Sequence, residues 1–181
     1  MEILKIISSY AKARNLQFVV IGGHAVVAHG SSRRTADIDL LVSIDQRTQW
    51  IDLITALKYD LGQNDTRFAR LIPKMIAQWP IDLMFVPHED FDKIYKETVP
   101  LPIDSVECLV ISKQHLAILK LHALKSYQEH RFDKDYTDLT EILRKNPNLF
   151  SIQELEAVCL KYASSEIFDR IAKDLKLNHD K

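Results

Sequence analysis

The chain has 181 residues, 46% hydrophobic and 27% charged, with four Gly and six Pro, a balance that excludes a disordered or fibrous protein. A formal net charge of −1 gives no global basic signal and argues neither for nor against a polynucleotide partner. The apolar runs span only a few residues, too short for a bilayer, so no membrane partner is expected, and the length suits one domain or one domain with a small appendage.

Residues 2 to 14 carry Ile3, Leu4, Ile6, Ile7 and Tyr10 at helical spacing, with Glu2, Lys5, Lys12 and Arg14 among them. They predict an amphipathic helix and not a signal peptide. "FVVI", 18 to 21, is a β-branched run closed by Gly22–Gly23. "HAVVAH", 24 to 29, suits a short helix that stops at Gly30, and "DIDLLV", 37 to 42, reads as a strand. Helical spacing returns over 46 to 60 through Trp50, Leu53, Ile54 and Leu57, until Gly62. "RFARLI" and "PIDLMFV" read as paired strands, with Pro80 acceptable at a strand start. "HEDFDKIY", 88 to 95, predicts a short helix and "SVECLVI", 105 to 111, a strand entering the core.

No glycine follows Ser112, and every later pattern is helical. A helix is expected over 113 to 127, Pro147 breaks the next, and Ser151 with Glu154 forms a capping box for the last part. The expected fold class is α+β: a small mixed β-sheet core with flanking helices over 1–111, then a C-terminal helical region over 112–181. Cys108 and Cys159 lack CxxC spacing and read as buried reduced thiols, which implies a cytoplasmic setting.

Asp37 and Asp39 stand one residue apart inside the apolar run "ADIDLLV". In a strand, side chains two apart share a face and the rise is about 3.3 Å per residue. The two carboxylates therefore project together while Ile38 and Leu40 turn to the core. Adjacent carboxylates repel unless a cation sits between them, and a divalent, oxygen-preferring ion is the natural partner. Mg²⁺ is commonly held by one or two carboxylates plus substrate phosphates, and two such ions lie about 3.5–4 Å apart in phosphoryl-transfer sites. Two Mg²⁺ are expected, with Mn²⁺ as the alternative ion. Asp82, flanked by Ile81 and Leu83, is the candidate third carboxylate, a metal ligand that could also serve as general base. Gly22 and Gly23 end a strand and open a helix, where free N–H groups and the absence of Cβ let a phosphate approach. A lone Asp-x-Asp or a lone Gly-Gly means little; their combination with a later Asp strand describes a grip on a metal–nucleoside triphosphate.

Those same residues resemble the nucleotidyltransferase superfamily with the DNA polymerase β-like fold, and its small bacterial branch of AbiE-type toxins. The pattern of that group falls on Gly22, Gly23, Ala25, His29, Gly30, Arg33, Thr35, Asp37, Ile38 and Asp39, with Asp82 as the later acidic position. A looser likeness in "LAILKLHALKSYQEHRFDKDYTDLTEIL" falls on Lys120, Arg131, Lys134, Asp135 and Asp138. The resemblance implies transfer of a nucleoside monophosphate from an NTP to a hydroxyl, with pyrophosphate released. It implies nucleotide contacts from Gly22, Gly23, Arg33, Thr35, Lys120 and Lys134, catalytic roles for Asp37, Asp39, Asp82 and Asp135, ATP among the donors, and an antitoxin protein as partner. Lys120 and Arg131 share a face if one helix runs through both; alternatively a new helix starts at Phe132 or Asp133.

Other classes stay open on the residues alone. One is a non-catalytic nucleotide-binding or protein-interaction module on the same fold. Another is metal-dependent glycosyl transfer, which needs more chain before its Asp-x-Asp than stands here. The acceptor could be tRNA, a protein or a small molecule. His115 and His122 lack a second pair at zinc spacing and read as surface or core residues. His24 could touch phosphate, cap or pack; Trp50 and Trp79 read as core; Arg34 reads as exposed.

Overall fold

A computed structural model describes residues 2–75, 78–125 and 129–177. Two compact units divide the chain, Met1–Ser112 and Lys113–Lys181. The first contains α1 (Glu2–Ala13), β1 (Val19–Val20), α2 (Gly22–Ala28), β2 (Ile38–Ser43), α3 (Arg47–Ala56), β3 (Tyr59–Asn64), β4 (Phe68–Pro73), β5 (Ile81–Val86), α4 (His88–Lys96), β6 (Val99–Ile103) and β7 (Val106–Val110). The second contains α5 (Lys113–Lys125), α6 (Glu129–Lys145), α7 (Ile152–Tyr162) and α8 (Ser165–Leu175). The fold is α+β, as expected.

Seven strands form one mixed sheet in the order β3-β4-β5-β2-β1-β7-β6. β2 pairs in parallel with β5, β1 in parallel with β7, and the other neighbours are antiparallel. β2 is central and covered on both faces, which is why "LLV" runs apolar without alternation: Ile38, Leu40, Leu41 and Val42 are all fully buried. Helices α1 and α3 contribute Leu4, Ile7, Trp50 and Ile54 to the same core, with Phe18 edge-on to Trp50 at 5.6 Å.

Two strands escaped the sequence reading, for different reasons. The helix expected over 46 to 60 stops at Ala56, because Lys58 takes a left-handed φ of 70° and turns the chain into β3. Gly62 therefore lies inside an edge strand and does not punctuate a helix. β6, with Pro100 and Pro102, is the opposite edge, where a missing N–H costs no ladder bond. The glycine pair opens a helix as expected: Gly22 and Gly23 form the first turn of α2, just after β1.

In the second unit, the helix expected over 113 to 127 is present over Lys113–Lys125, and residues 126–128 lie outside the described ones. Lys120 lies on α5 and Arg131 on α6, and the continuity of one helix through both falls on residues outside the described ones; Phe132 and Asp133 fall within α6. The capping box at Ser151 forms as expected: Ser151 Oγ accepts from the Glu154 N–H at 3.2 Å, and the Ser151 N–H donates to Glu154 at 2.8 Å. Among the apolar faces of α5 and α6 sits a buried ion triad. Lys120, 7% exposed, donates from Nζ to Asp135 Oδ1 and to Asp138 Oδ2, both at 2.7 Å.

Removing one partner of a buried ionic set typically costs about 3–5 kcal/mol. Lys120→Met is expected to lower unfolding free energy by about that amount in guanidinium titrations. A loss within about 0.5 kcal/mol, as for an ordinary surface change, would contradict a buried triad.

Candidate active site

Two neighbouring parallel strands gather the acidic residues. In the β2–β5 register Ile38 lies opposite Ile81, Asp39 opposite Asp82 and Leu40 opposite Leu83. Register partners leave the sheet on the same face from strands about 4.8 Å apart. The apolar partners therefore enter the core together and the two carboxylates emerge side by side. Asp37, immediately before β2, joins them: one carboxylate oxygen from each of Asp37, Asp39 and Asp82 lies within 4.8 Å of the other two. Asp37 and Asp39 are half-buried, and Asp82 is 8% exposed.

Ionised carboxylates at that spacing repel by about 3–4 kcal/mol per pair at an effective dielectric of about 20. Nearby cations offset such repulsion. Arg70 on β4 is the register partner of Asp82 and donates from Nη1 to Asp82 Oδ2 at 2.8 Å. The sequence reading missed Arg70, because nothing short of the β4–β5 register links it to the acidic strand. Three hard oxygen donors converging beside one arginine suit a divalent ion of the Mg²⁺ class.

The glycines allow the α2 turn to lie against this cluster. Gly22 has φ +60°, and a Cβ there would collide with the Asp39 carboxylate. The Gly23 N–H donates to Asp39 Oδ2 at 3.3 Å. A Cβ at Gly23 would meet the Thr35 side chain and come within 2.6 Å of the Arg33 guanidinium. Thr35 in turn donates its hydroxyl to Asp37 Oδ1 at 2.9 Å. The glycines were expected to leave room above the backbone; that room is taken by the side chains of Asp39, Thr35 and Arg33. At the other end of α2, His29 Nε2 donates to the Ile111 carbonyl at 2.7 Å, which fixes the helix to the end of β7.

Gly22, Gly23, Arg33, Thr35, Asp37, Asp39 and Asp82 are thus brought together in the first unit. Lys120 and Asp135 are paired with each other in the second unit, where Lys134 is exposed on α6. Arg34 is exposed, as expected, and Trp50 is core. Trp79 is not: it is 36% exposed.

A family model described as "Nucleotidyltransferase of unknown function (DUF6036)" matches residues 1–179. The chain belongs to this nucleotidyltransferase family. No curated protein sequence matches it at a significant level. Among solved structures, the fold is similar to ANT(2")-Ia in complex with adenylyl-2"-tobramycin, at 14% identity and a TM-score of 0.67, over 89% of this chain and 95% of that one. It is also similar to the lincomycin-bound lincosamide antibiotic adenylyltransferase LnuA, at 17% identity and a TM-score of 0.55, over 77% and 95% of the two chains. An antigenic nucleotidyltransferase-like protein from Paracoccidioides brasiliensis matches at 13% identity and a TM-score of 0.54, over 97% and 91%. The motif resemblance therefore holds at the level of the nucleotidyltransferase superfamily.

One residue of this nucleotidyltransferase turns out to pack where several roles were open. His24, directly after Gly23, is buried and stacks on Trp79 with ring centroids 5.3 Å apart. Burial pushes its pKa below the ordinary 6.5, against the opposing pull of the Asp104 and Asp37 charges. The unfolded chain thus binds a proton at a pH where folded His24 stays neutral, so this group makes stability fall as pH drops below about 6.5. His24→Phe keeps a ring on Trp79 and is expected to flatten that acid-side decline in denaturant titrations; an unchanged slope would assign it to other groups.

The glycine geometry gives a paired comparison. Gly30 also has positive φ, +99°, but a Cβ there meets nothing within 4 Å. Gly30→Ala should cost only backbone strain, about 1–2 kcal/mol. Gly22→Ala should cost clearly more by the same unfolding measurement, because Asp39 must move as well; equal losses would show that Asp39 yields freely.

Proposed function

We propose that this nucleotidyltransferase transfers a nucleoside monophosphate from an NTP, ATP among them, to an acceptor hydroxyl in a Mg²⁺-dependent reaction that releases pyrophosphate. The observation that carries the reading is the convergence of Asp37, Asp39 and Asp82 within 4.8 Å beside the glycine turn. In this reading all three carboxylates hold divalent ions, two Mg²⁺ or Mn²⁺ in number. When bound, the ions supply charge neutralisation on the triphosphate and the leaving group. Gly22, Gly23, Arg33 and Thr35 form the phosphate seat, with the Arg33 guanidinium as its donor. The acceptor hydroxyl forms the new bond to the α-phosphorus, the bond to the β-phosphate oxygen breaks, and the hydroxyl proton passes to Asp82. Positioning and electrostatics then carry the rate.

Lys120, Lys134 and Asp135 enter this scheme less evenly. Lys134 exposes its charge and suits a phosphate contact, whereas the engagement of Lys120 with Asp135 and Asp138 supports a scaffolding role for that pair. Among acceptors, a small-molecule hydroxyl is favoured over tRNA or protein. Two of the similar structures hold such compounds, adenylyl-2"-tobramycin in one and lincomycin in the other. A toxin role with an antitoxin partner rests on the motif resemblance alone. Cys108 and Cys159 are buried, and burial pushes the Cys159 thiol up to about 12, which is compatible with a reducing, cytoplasmic setting. No helix among the described residues is long and apolar enough to cross a membrane.

The test is label transfer from α-labelled NTPs to aminoglycoside and lincosamide compounds, total RNA and total protein. Asp37→Ala with Asp39→Ala should abolish labelling and leave the far-UV circular dichroism spectrum unchanged. Undiminished labelling by that double variant would refute the assignment.

A further inference from the structure

We infer that Trp79 is a stacking platform for a nucleobase, held beside the carboxylate site by the buried ring of His24; this rests on the nucleotidyl-transfer reading above. The chain has two tryptophans, and the fold treats them differently. Trp50 is fully buried against Phe18. Trp79 leaves 36% of its surface in water and rests on His24 with an interplanar angle of 23°. Its backbone is fixed from two sides. The Tyr59 hydroxyl donates to the Trp79 carbonyl at 3.2 Å, and the Ile38 N–H donates to the neighbouring Pro80 carbonyl at 2.9 Å.

The location follows from those bonds. Ile38 lies between Asp37 and Asp39, and His24 follows the glycine whose N–H meets Asp39. His24 is 6% exposed, and its Nε2 has no hydrogen-bond partner among the described residues. A buried polar atom left in that state normally costs stability, and the contact the ring does make is its face against Trp79. A flat, immobile imidazole beneath a half-open indole is a base-stacking surface in form and size. Stacking a base on an aromatic side chain contributes about 1–3 kcal/mol and tolerates any base. The base can belong to the NTP or to a polynucleotide acceptor.

Binding of ATP, inorganic tripolyphosphate and a short single-stranded oligoribonucleotide, each with Mg²⁺, distinguishes these sources by calorimetry on the full chain. Intrinsic fluorescence follows the same titrations, since Trp79 is the exposed fluorophore. The expected result is quenching by ATP in the wild type. Trp79→Leu should weaken ATP about tenfold and leave tripolyphosphate unchanged, and Trp79→Phe should restore most of the affinity without the quench. Weakened oligoribonucleotide binding with ATP unaffected supports the platform and assigns the base to the acceptor. Unchanged binding of both, or an equal loss for tripolyphosphate, overturns the platform and leaves the phosphate seat standing. A wild-type chain that binds none of the three overturns the nucleotide reading and the platform with it.

Discussion

The parallel register of β2 with β5 forces Asp39 and Asp82 into lateral contact on one face of the sheet, and Asp37 adds a third carboxylate within 4.8 Å. Because the apolar partners on either side of Asp39 are fully buried, the strand cannot slip by one residue without turning its core side chains to the opposite face. The hydrophobic register thus holds like charges together against their repulsion. Much of the surrounding local structure answers to that concentration of charge: the Gly23 N–H and Thr35 hydroxyl bond to the carboxylates, and Arg70 reaches Asp82 from the next strand.

The two units handle clustered carboxylates in different ways. In the helical unit, Asp135 and Asp138 share one buried lysine, with every member nearly inaccessible. In the sheet unit, three carboxylates gather beside Arg70, whose side chain is 39% exposed. The first arrangement is enclosed and suited to holding helices together. The second is half-open, with Asp37 and Asp39 partly exposed to solvent.

Much of this was legible in the sequence because it depended on local rules. Apolar periodicity located α1, β4, β5 and β7, and the capping signature at Ser151 located α7. The alternation around Asp37 and Asp39, with Asp82 later in a similar apolar setting, was enough to anticipate a common face. What escaped was settled by tertiary context. β3 begins where Lys58 adopts a left-handed turn, and β6 tolerates two prolines only because it is an edge. Arg70 meets Asp82 through a strand register that no local pattern encodes. Trp79 was expected in the core on size and apolar character, yet its place between a turn and a strand start leaves it half in water. The glycine pair was recognised as the opening of a helix, but the side chains packed against it were not. The missing Cβ atoms make way for the protein's own Asp39, Thr35 and Arg33.

β1 is only two residues long, yet it is the isthmus of the sheet. Val19 and Val20 pair with Leu41 and Leu40 on one side, while Val20 pairs with Val110 on the other. Within the sheet, the four strands ending in β2 meet the β6–β7 hairpin through this one narrow column of backbone bonds. Looseness at Val19 or Val20 is transmitted in both directions at once: to the strand that carries Asp39, and to the hairpin whose last residues receive the His29 ring.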